Sequence, residues 1–81
     1  MKLLTKKNTK SPQALSDELN KISPKLCAAP SYKDITLIFD LGEENVIEAK
    51  VVFKDGMIDI VVPHEEKLTE RKKQEMLNIL K

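Results

Sequence analysis

The dipeptide Asp55-Gly56 is the feature that most constrains how this chain can fold. It separates two runs rich in apolar and β-branched residues, at positions 46–54 and 57–62. Asp-Gly favours a two-residue β-turn, because both central positions of that turn need positive φ. A loop of two residues also sets the register and pairs Phe53 with Ile58, which makes one face of the hairpin wholly apolar. The turn and the apolar pattern therefore predict the same antiparallel hairpin.

A further strand is predicted just before the hairpin. In residues 34–41 the side chains alternate, and the odd positions are all apolar: Ile35, Leu37, Phe39 and Leu41. Alternation with a period of two residues is typical of a strand with one buried face. Residues 42–45 then supply a turn that leads into the hairpin. The three runs predict a three-stranded antiparallel β-meander.

Two helices are predicted, one on each side of the meander in the sequence. Ser11 can cap the free amides of a first helical turn, and Pro12 suits the first helical position. Pro24 ends this helix, whose apolar residues recur at helical spacing. Those apolar residues are Leu15, Leu19 and Ile22. Thr69 and Glu70 supply a cap and an acid at the start of a second helix, which is predicted to continue to the last residue.

The predicted fold class is α+β, a two-layer domain with a three-stranded antiparallel β-meander and two helices in the order α-β-β-β-α. Residues 11–81 are predicted to form a single α+β domain, since 81 residues leave no room for a second core. Residues 1–10 contain four lysines and no acid, and they are predicted to form a flexible basic N-terminal tail. The rest of the chain has ten basic residues against thirteen acidic ones.

Cysteine content and the length of apolar runs indicate a cytoplasmic protein. The single cysteine, Cys27, cannot form an internal disulfide, which favours a reducing compartment. Between Leu26 and Ala28 it is interpreted as a small buried hydrophobic residue in a loop at positions 25–33. No apolar run approaches the roughly 20 residues that span a bilayer, so no membrane partner is predicted.

Candidate catalytic and metal-binding residues are few and form no complete set. His64 is the only histidine and lies beside Glu65 and Glu66, whereas a zinc site needs three or four ligands. We interpret His64 as an exposed loop residue. Gly42 and Gly56 are isolated and form no phosphate-binding loop. An enzyme is therefore not predicted, and neither is a metal site, a cofactor or a small-molecule substrate.

The second face of the predicted sheet is the most informative surface, because it is half apolar. If both helices cover the other face, this one is exposed and marks a site for a protein partner or for a second copy in a homodimer. The predicted partner-binding residues are Ile38, Lys50, Val52, Lys54, Met57 and Val61. A free sheet edge is another route to the same function, that of a small adaptor, inhibitor or regulator. In an alternative arrangement, the first helix crosses to this face and covers it.

Nucleic-acid binding is the alternative function. The predicted phosphate contacts come from the basic tail and the start of the second helix. They are Lys6, Lys7, Lys10, Arg71, Lys72 and Lys73. The predicted element order is similar to that of double-stranded-RNA-binding domains, in topology only. The chain departs from that family because it lacks the small alanines of the second helix and the glycine-rich approach to it. In the other interpretation, residues 67–73 form an ordinary solvated helix face.

Overall fold

The computed structural model describes residues 1–64, 66 and 68–81, so Glu65 and Lys67 lie outside the described residues. In chain order the elements are β1 (Lys2–Lys7), α1 (Pro12–Leu19), β2 (Leu26–Ser31), β3 (Asp34–Asp40), β4 (Val46–Lys54), β5 (Met57–Val61) and α2 (Glu70–Ile79). All five strands belong to one sheet in the order β1-β5-β4-β3-β2. Every neighbouring pair of strands is antiparallel.

The predicted three-stranded meander is wrong, although the α+β class is correct. Two further strands, β1 and β2, form the two edges of the sheet. Strand β1 comes from residues that were expected in a flexible tail. The sequence shows no alternation of polar and apolar residues there, because a register shift brings the consecutive residues Leu3 and Leu4 both against the core. Strand β2 comes from the predicted loop. Its Pro30 is tolerated because a proline on an edge strand need not donate to a neighbouring strand.

The extra strands also change the comparison of topologies. The observed order of elements is β-α-β-β-β-β-α. The predicted similarity to double-stranded-RNA-binding domains rested on the order α-β-β-β-α alone. That similarity therefore does not hold for the observed fold.

The hairpin at Asp55-Gly56 has the predicted register. Phe53 pairs with Ile58, and Lys54 pairs with Met57 next to the turn. Asp55 has φ of 48° and Gly56 has φ of 75°. Positive φ at both central positions is what a type I′ turn requires, and its twist matches that of the two flanking strands. The local turn chemistry and the pairing of β4 with β5 therefore agree.

Both helices begin as predicted, but α1 ends earlier. The side chain of Ser11 accepts a hydrogen bond from the Ala14 N–H, and Thr69 does the same for Lys72 at the start of α2. Helix α1 ends at Leu19, so Ile22 lies beyond it and is 38% exposed. The residue that follows the helix, Asn20, has a side chain that bonds the backbone of β2 instead. This attachment holds the chain on its way to the edge of the sheet.

One core lies between the sheet and the helices. It contains residues from both helices together with residues from every strand, at alternate positions in all strands except β1. Its members with the least exposure are Ile35, Leu37, Phe39, Ala49, Val51, Val62 and Met76. Leu15 and Leu19 of α1 belong to the same buried cluster as Met76 of α2. Both helices therefore cover one face of the sheet, and α1 does not cross to the other.

Candidate protein-interaction surface

The face of the sheet opposite the helices is defined by strand alternation. In β4, Ile47, Ala49 and Val51 are buried, while the residues between them are exposed. The same alternation runs through β3 and β5. We call this second surface the open face. Its described residues are Lys2, Thr5, Lys7, Cys27, Ala29, Ser31, Asp34, Thr36, Ile38, Asp40, Val46, Glu48, Lys50, Val52, Lys54, Met57, Asp59 and Val61.

The large apolar side chains of the open face lie on its three central strands, β3, β4 and β5. Val46 is 55% exposed and Val52 is 40% exposed, which makes them two of the four large hydrophobic residues most open to solvent. Ile38, Met57 and Val61 are half-buried. All six residues that were predicted to bind a partner lie on this face, namely Ile38, Lys50, Val52, Lys54, Met57 and Val61. The structure brings them together, and their role stays a prediction.

Charged residues of the open face form rows that run across the strands. Residues that pair across neighbouring strands lie side by side, and together they form a row. Successive rows on one face are two residues apart along each strand, a distance of about 6.7 Å. Along the strands, the charged members of the first four rows are Lys7 and Lys54, then Asp34 and Asp59, then Lys2 and Lys50, then Glu48. The fifth and last row pairs Val46 with Asp40 and is acidic like the one before it. The sign of the charge therefore alternates over the first four rows, and the fifth repeats the sign of the fourth.

Asp59, on the open face, is contacted by two side chains of β1. The Thr5 hydroxyl donates to its Oδ1 at 2.8 Å, and Lys2 Nζ lies 3.6 Å from Oδ2. These contacts link β1 to β5 through side chains as well as through the backbone. The Thr5 hydrogen bond, aided by the positive charge of Lys2, lowers the pKa of Asp59 below its ordinary value. The carboxylate is thus held in its charged form.

Cys27 lies on the open face, so its predicted burial is wrong. Its neighbours Leu26 and Ala28 point towards the core, and alternation along β2 turns Cys27 the other way. The sequence signal that could have revealed this is the spacing of Leu26 and Ala28, which lie two residues apart and therefore share one face of a strand, leaving Cys27 on the other.

Strands β1 and β2 together add six residues to the open face that the sequence pattern did not predict: Lys2, Thr5, Lys7, Cys27, Ala29 and Ser31.

The outer edge of β2 is closed by groups from α1 and the loop that follows. Asn20 Oδ1 accepts from the Ala28 N–H at 2.7 Å, and Asn20 Nδ2 donates to the Ala28 carbonyl at 2.8 Å. The buried hydroxyl of Ser16 donates to the same carbonyl at 2.9 Å. The Leu26 N–H donates to the Ser23 carbonyl, and Pro30 has no N–H. Each outward N–H position of β2 is therefore either occupied or absent.

The residues predicted to contact nucleic acid fall into two groups. Lys6 and Lys7 lie near the turn between β4 and β5, because Lys7 pairs with Met57. Arg71 and Lys72 line a depression beside the turn between β3 and β4. These turns are at opposite ends of β4, which is about 26 Å long. The structure does not bring the two groups together as one phosphate clamp.

Three of these basic residues have acidic neighbours, since Lys6 and Lys10 both act on Glu18 and Arg71 lies near Glu75. Lys10 forms an ion pair with Glu18, and the hydrogen bond and charge of Lys10 lower the pKa of that carboxyl group. Arg71 Nε lies 4.0 Å from Glu75 Oε1 one turn along α2. Both pairs are exposed, so each contributes little to stability. They nevertheless reduce the positive charge available to a polyanion.

The depressions beside α2, one of which is lined by Arg71 and Lys72, hold no catalytic set among the described residues. Two of about 460 and 480 Å³ adjoin α2, and the described residues that line them include neither histidine nor cysteine. His64 is exposed, and its Nδ1 lies 3.7 Å from Glu66 Oε1. Within residues 1–64, 66 and 68–81, no group of three or more potential metal ligands comes together.

No described helix is both long enough and apolar enough to span a bilayer. Comparison with protein-family models, with curated proteins and with solved structures found no match to this chain. The candidate function therefore depends on the surface chemistry of the fold alone.

Proposed function

We propose that this protein is a small non-catalytic interaction module, an adaptor, inhibitor or regulator, that binds through its open face. The observation that carries the proposal is a half-apolar sheet face that neither described helix covers. Contiguous apolar surface of this kind is typical of sites that bind another protein. The cytoplasm is the compartment that we propose with it, because one unpaired cysteine suits a reducing environment.

The occupant that we propose for the open face is a second copy of the chain. In this dimer a two-fold axis relates the two copies. The axis lies in the plane of the interface, runs parallel to the rows, and passes midway between the row of Lys50 and the row of Asp59. This axis brings each basic row opposite an acidic row of the other copy. On β4 it sets Lys54 of one copy against Glu48 of the other, and this contact occurs twice. Val52 then meets the aliphatic stem of Lys50.

The dimensions of the open face fit a homodimer of modest size. Five strands span about 24 Å, and four rows span about 27 Å along the strands. Two copies in full contact would bury on the order of 1,300 Å² in total, near the lower limit for specific interfaces. Because charged side chains must lose part of their hydration, we expect a weak dimer with a dissociation constant on the order of micromolar.

Light scattering over a concentration series tests this proposal. The mean mass should rise towards that of a dimer, and the rise should be smaller at high salt because salt screens the rows of charge. Val52→Lys adds a charge opposite Lys50 and should abolish the rise. Tyr32→Lys adds the same charge at an exposed turn outside the face and should leave the rise unchanged. A wild-type mass that stays monomeric at every concentration would contradict self-association through this face.

Nucleic-acid binding has weaker support than self-association. The two basic groups are separated by the length of β4, and the remainder of the chain has more acidic than basic residues. Binding to phosphates would have to weaken steeply as salt rises, since it releases counterions. Measurable affinity for duplex RNA at low salt, lost on combined substitution of Arg71 and Lys72 by Gln, would favour this alternative instead.

A further inference from the structure

We propose that the outer edge of β1 is a strand-addition site for an extended acidic segment of another protein. This site is the backbone edge of β1, which borders the open face and shares Lys2 and Lys7 with it, but strand addition there goes beyond self-association and does not depend on it. Its basis is a difference between the two edges of the sheet. The outer edge of β2 is closed, whereas the outer edge of β1 exposes backbone groups and lysines.

The backbone of β1 has an unpaired outer side. Asn8 N–H donates to the Gly56 carbonyl at 2.9 Å, so residue 8 faces the sheet. In an antiparallel ladder the direction of the N–H alternates along the strand, and the N–H groups of Lys7 and Thr5 therefore point outwards. Within the described part of the chain, no backbone bond outside the ladder engages either of these groups. An added strand would find donors and acceptors at two-residue intervals.

The edge of β2 cannot serve in the same way. The N–H of Ala28 is bonded to Asn20, that of Leu26 to Ser23, and Pro30 has none. A strand added there would lack donors on the edge that it has to meet. Only one of the two edges of this sheet can therefore extend it.

Charge selects the occupant of the β1 edge. Lys2, Lys6 and Lys7 are all exposed on this strand. Lys2 and Lys7 lie on the open face, and Lys6 lies on the opposite side, where its charge acts on Glu18. A second copy of β1 would bring like charges together across the new pair, which is unfavourable. A segment with acidic residues would instead meet Lys7 on one of its faces and Lys6 on the other, whereas Lys2 is already paired with Asp59.

The test uses two fluorescent peptides of the same length, one alternating Glu with Val and the other alternating Lys with Val. Binding to the full chain is followed by fluorescence anisotropy. We expect the acidic peptide to bind at least about tenfold tighter than the basic one. The double variant Lys6→Glu with Lys7→Glu should reverse this preference.

A matched pair of substitutions separates strand addition from simple charge attraction. Lys7→Gln and Lys7→Pro remove the same charge, but only proline also removes the outward N–H. The proline variant should bind the acidic peptide at least about threefold more weakly than the glutamine variant, with an unchanged circular dichroism spectrum. If the proline variant fails to fold, amide hydrogen exchange of the wild-type chain decides the outcome: strand addition should slow exchange at the outward N–H groups of Thr5 and Lys7, whereas charge attraction alone should not.

Two results would overturn the proposal. If the acidic peptide does not bind at about 1 mM, the lysines act only to prevent association of edges, as edge lysines commonly do. Equal affinity of the two Lys7 variants would mean attraction to the surface without strand addition. Val52→Lys, which disrupts the open face, should leave peptide binding unchanged, so failure of one proposal is distinguishable from failure of the other.

Discussion

The two faces of the sheet are made by the same strands, yet the helices cover only one of them. In β4, Ile47, Ala49 and Val51 are almost wholly buried under the helices, whereas Val46 and Val52 are largely exposed. The difference arises because successive side chains of a strand point to opposite sides. One face can thus be optimised for packing and the other for recognition, with little interference between them. Substitutions on the two faces should therefore have separable effects.

Removal of a large core side chain should have the largest effect. Phe39 is fully buried in the middle of the core, and Phe39→Ala should lower the free energy of unfolding by about 3–5 kcal/mol. Val52→Lys on the open face should change it by less than about 1 kcal/mol. Urea unfolding followed by circular dichroism measures both. A comparable loss for Val52→Lys would mean that the open face contributes to the core.

The closed edge gives an intermediate effect. Asn20→Ala leaves the Ala28 N–H without its acceptor and should cost about 1–3 kcal/mol. Ser16→Ala is the matched control, because Asn20 Nδ2 still donates to the Ala28 carbonyl after the hydroxyl is lost. Its cost should be smaller. Chemical denaturation of the two variants compares them, and equal costs would indicate that Asn20 does not protect the edge.

The smallest effect concerns a charge on the open face. Thr5→Val removes the hydrogen bond to Asp59 and should raise the pKa of that carboxyl group towards its ordinary value of 3.8. Because the folded-state pKa is lowered, Asp59 contributes stability above its unfolded pKa, and this contribution is lost as pH falls through the folded-state pKa. The variant should therefore lose less stability in acid. Carboxyl NMR titration checks this, and an unshifted Asp59 would show that Thr5 has no influence.

Sequence patterns predicted the central strands better than the edges. Alternation in β3 and β4 and the Asp55-Gly56 turn are strong local signals, since each central strand buries a full face. Strand β1 buries only Leu3 and Leu4, at a register shift, and most of its other residues are charged. Strand β2 contains Pro30, which normally argues against a strand. Edge strands depend on distant neighbours, and a local pattern does not reveal these.

The same reasoning applies to the candidate surface. Residues of β3, β4 and β5 on the open face were predictable from alternation and the hairpin register. The contributions of Lys2, Thr5 and Cys27 were not, because they follow from pairing across the sheet. The alternating rows of charge become visible only when these edge residues join the central ones.

The row arrangement is tested most directly by charge exchange between two variants. Lys54→Glu and Glu48→Lys should each weaken the dimer, because like charges then face each other across the two-fold axis. In an equal mixture, the two variants should form a heterodimer in which every exchanged residue again faces an opposite charge. Light scattering of the separate and mixed samples should show near-monomeric masses alone and a mass close to that of a dimer together. A mixture that stays as monomeric as its components would contradict self-recognition through the open face.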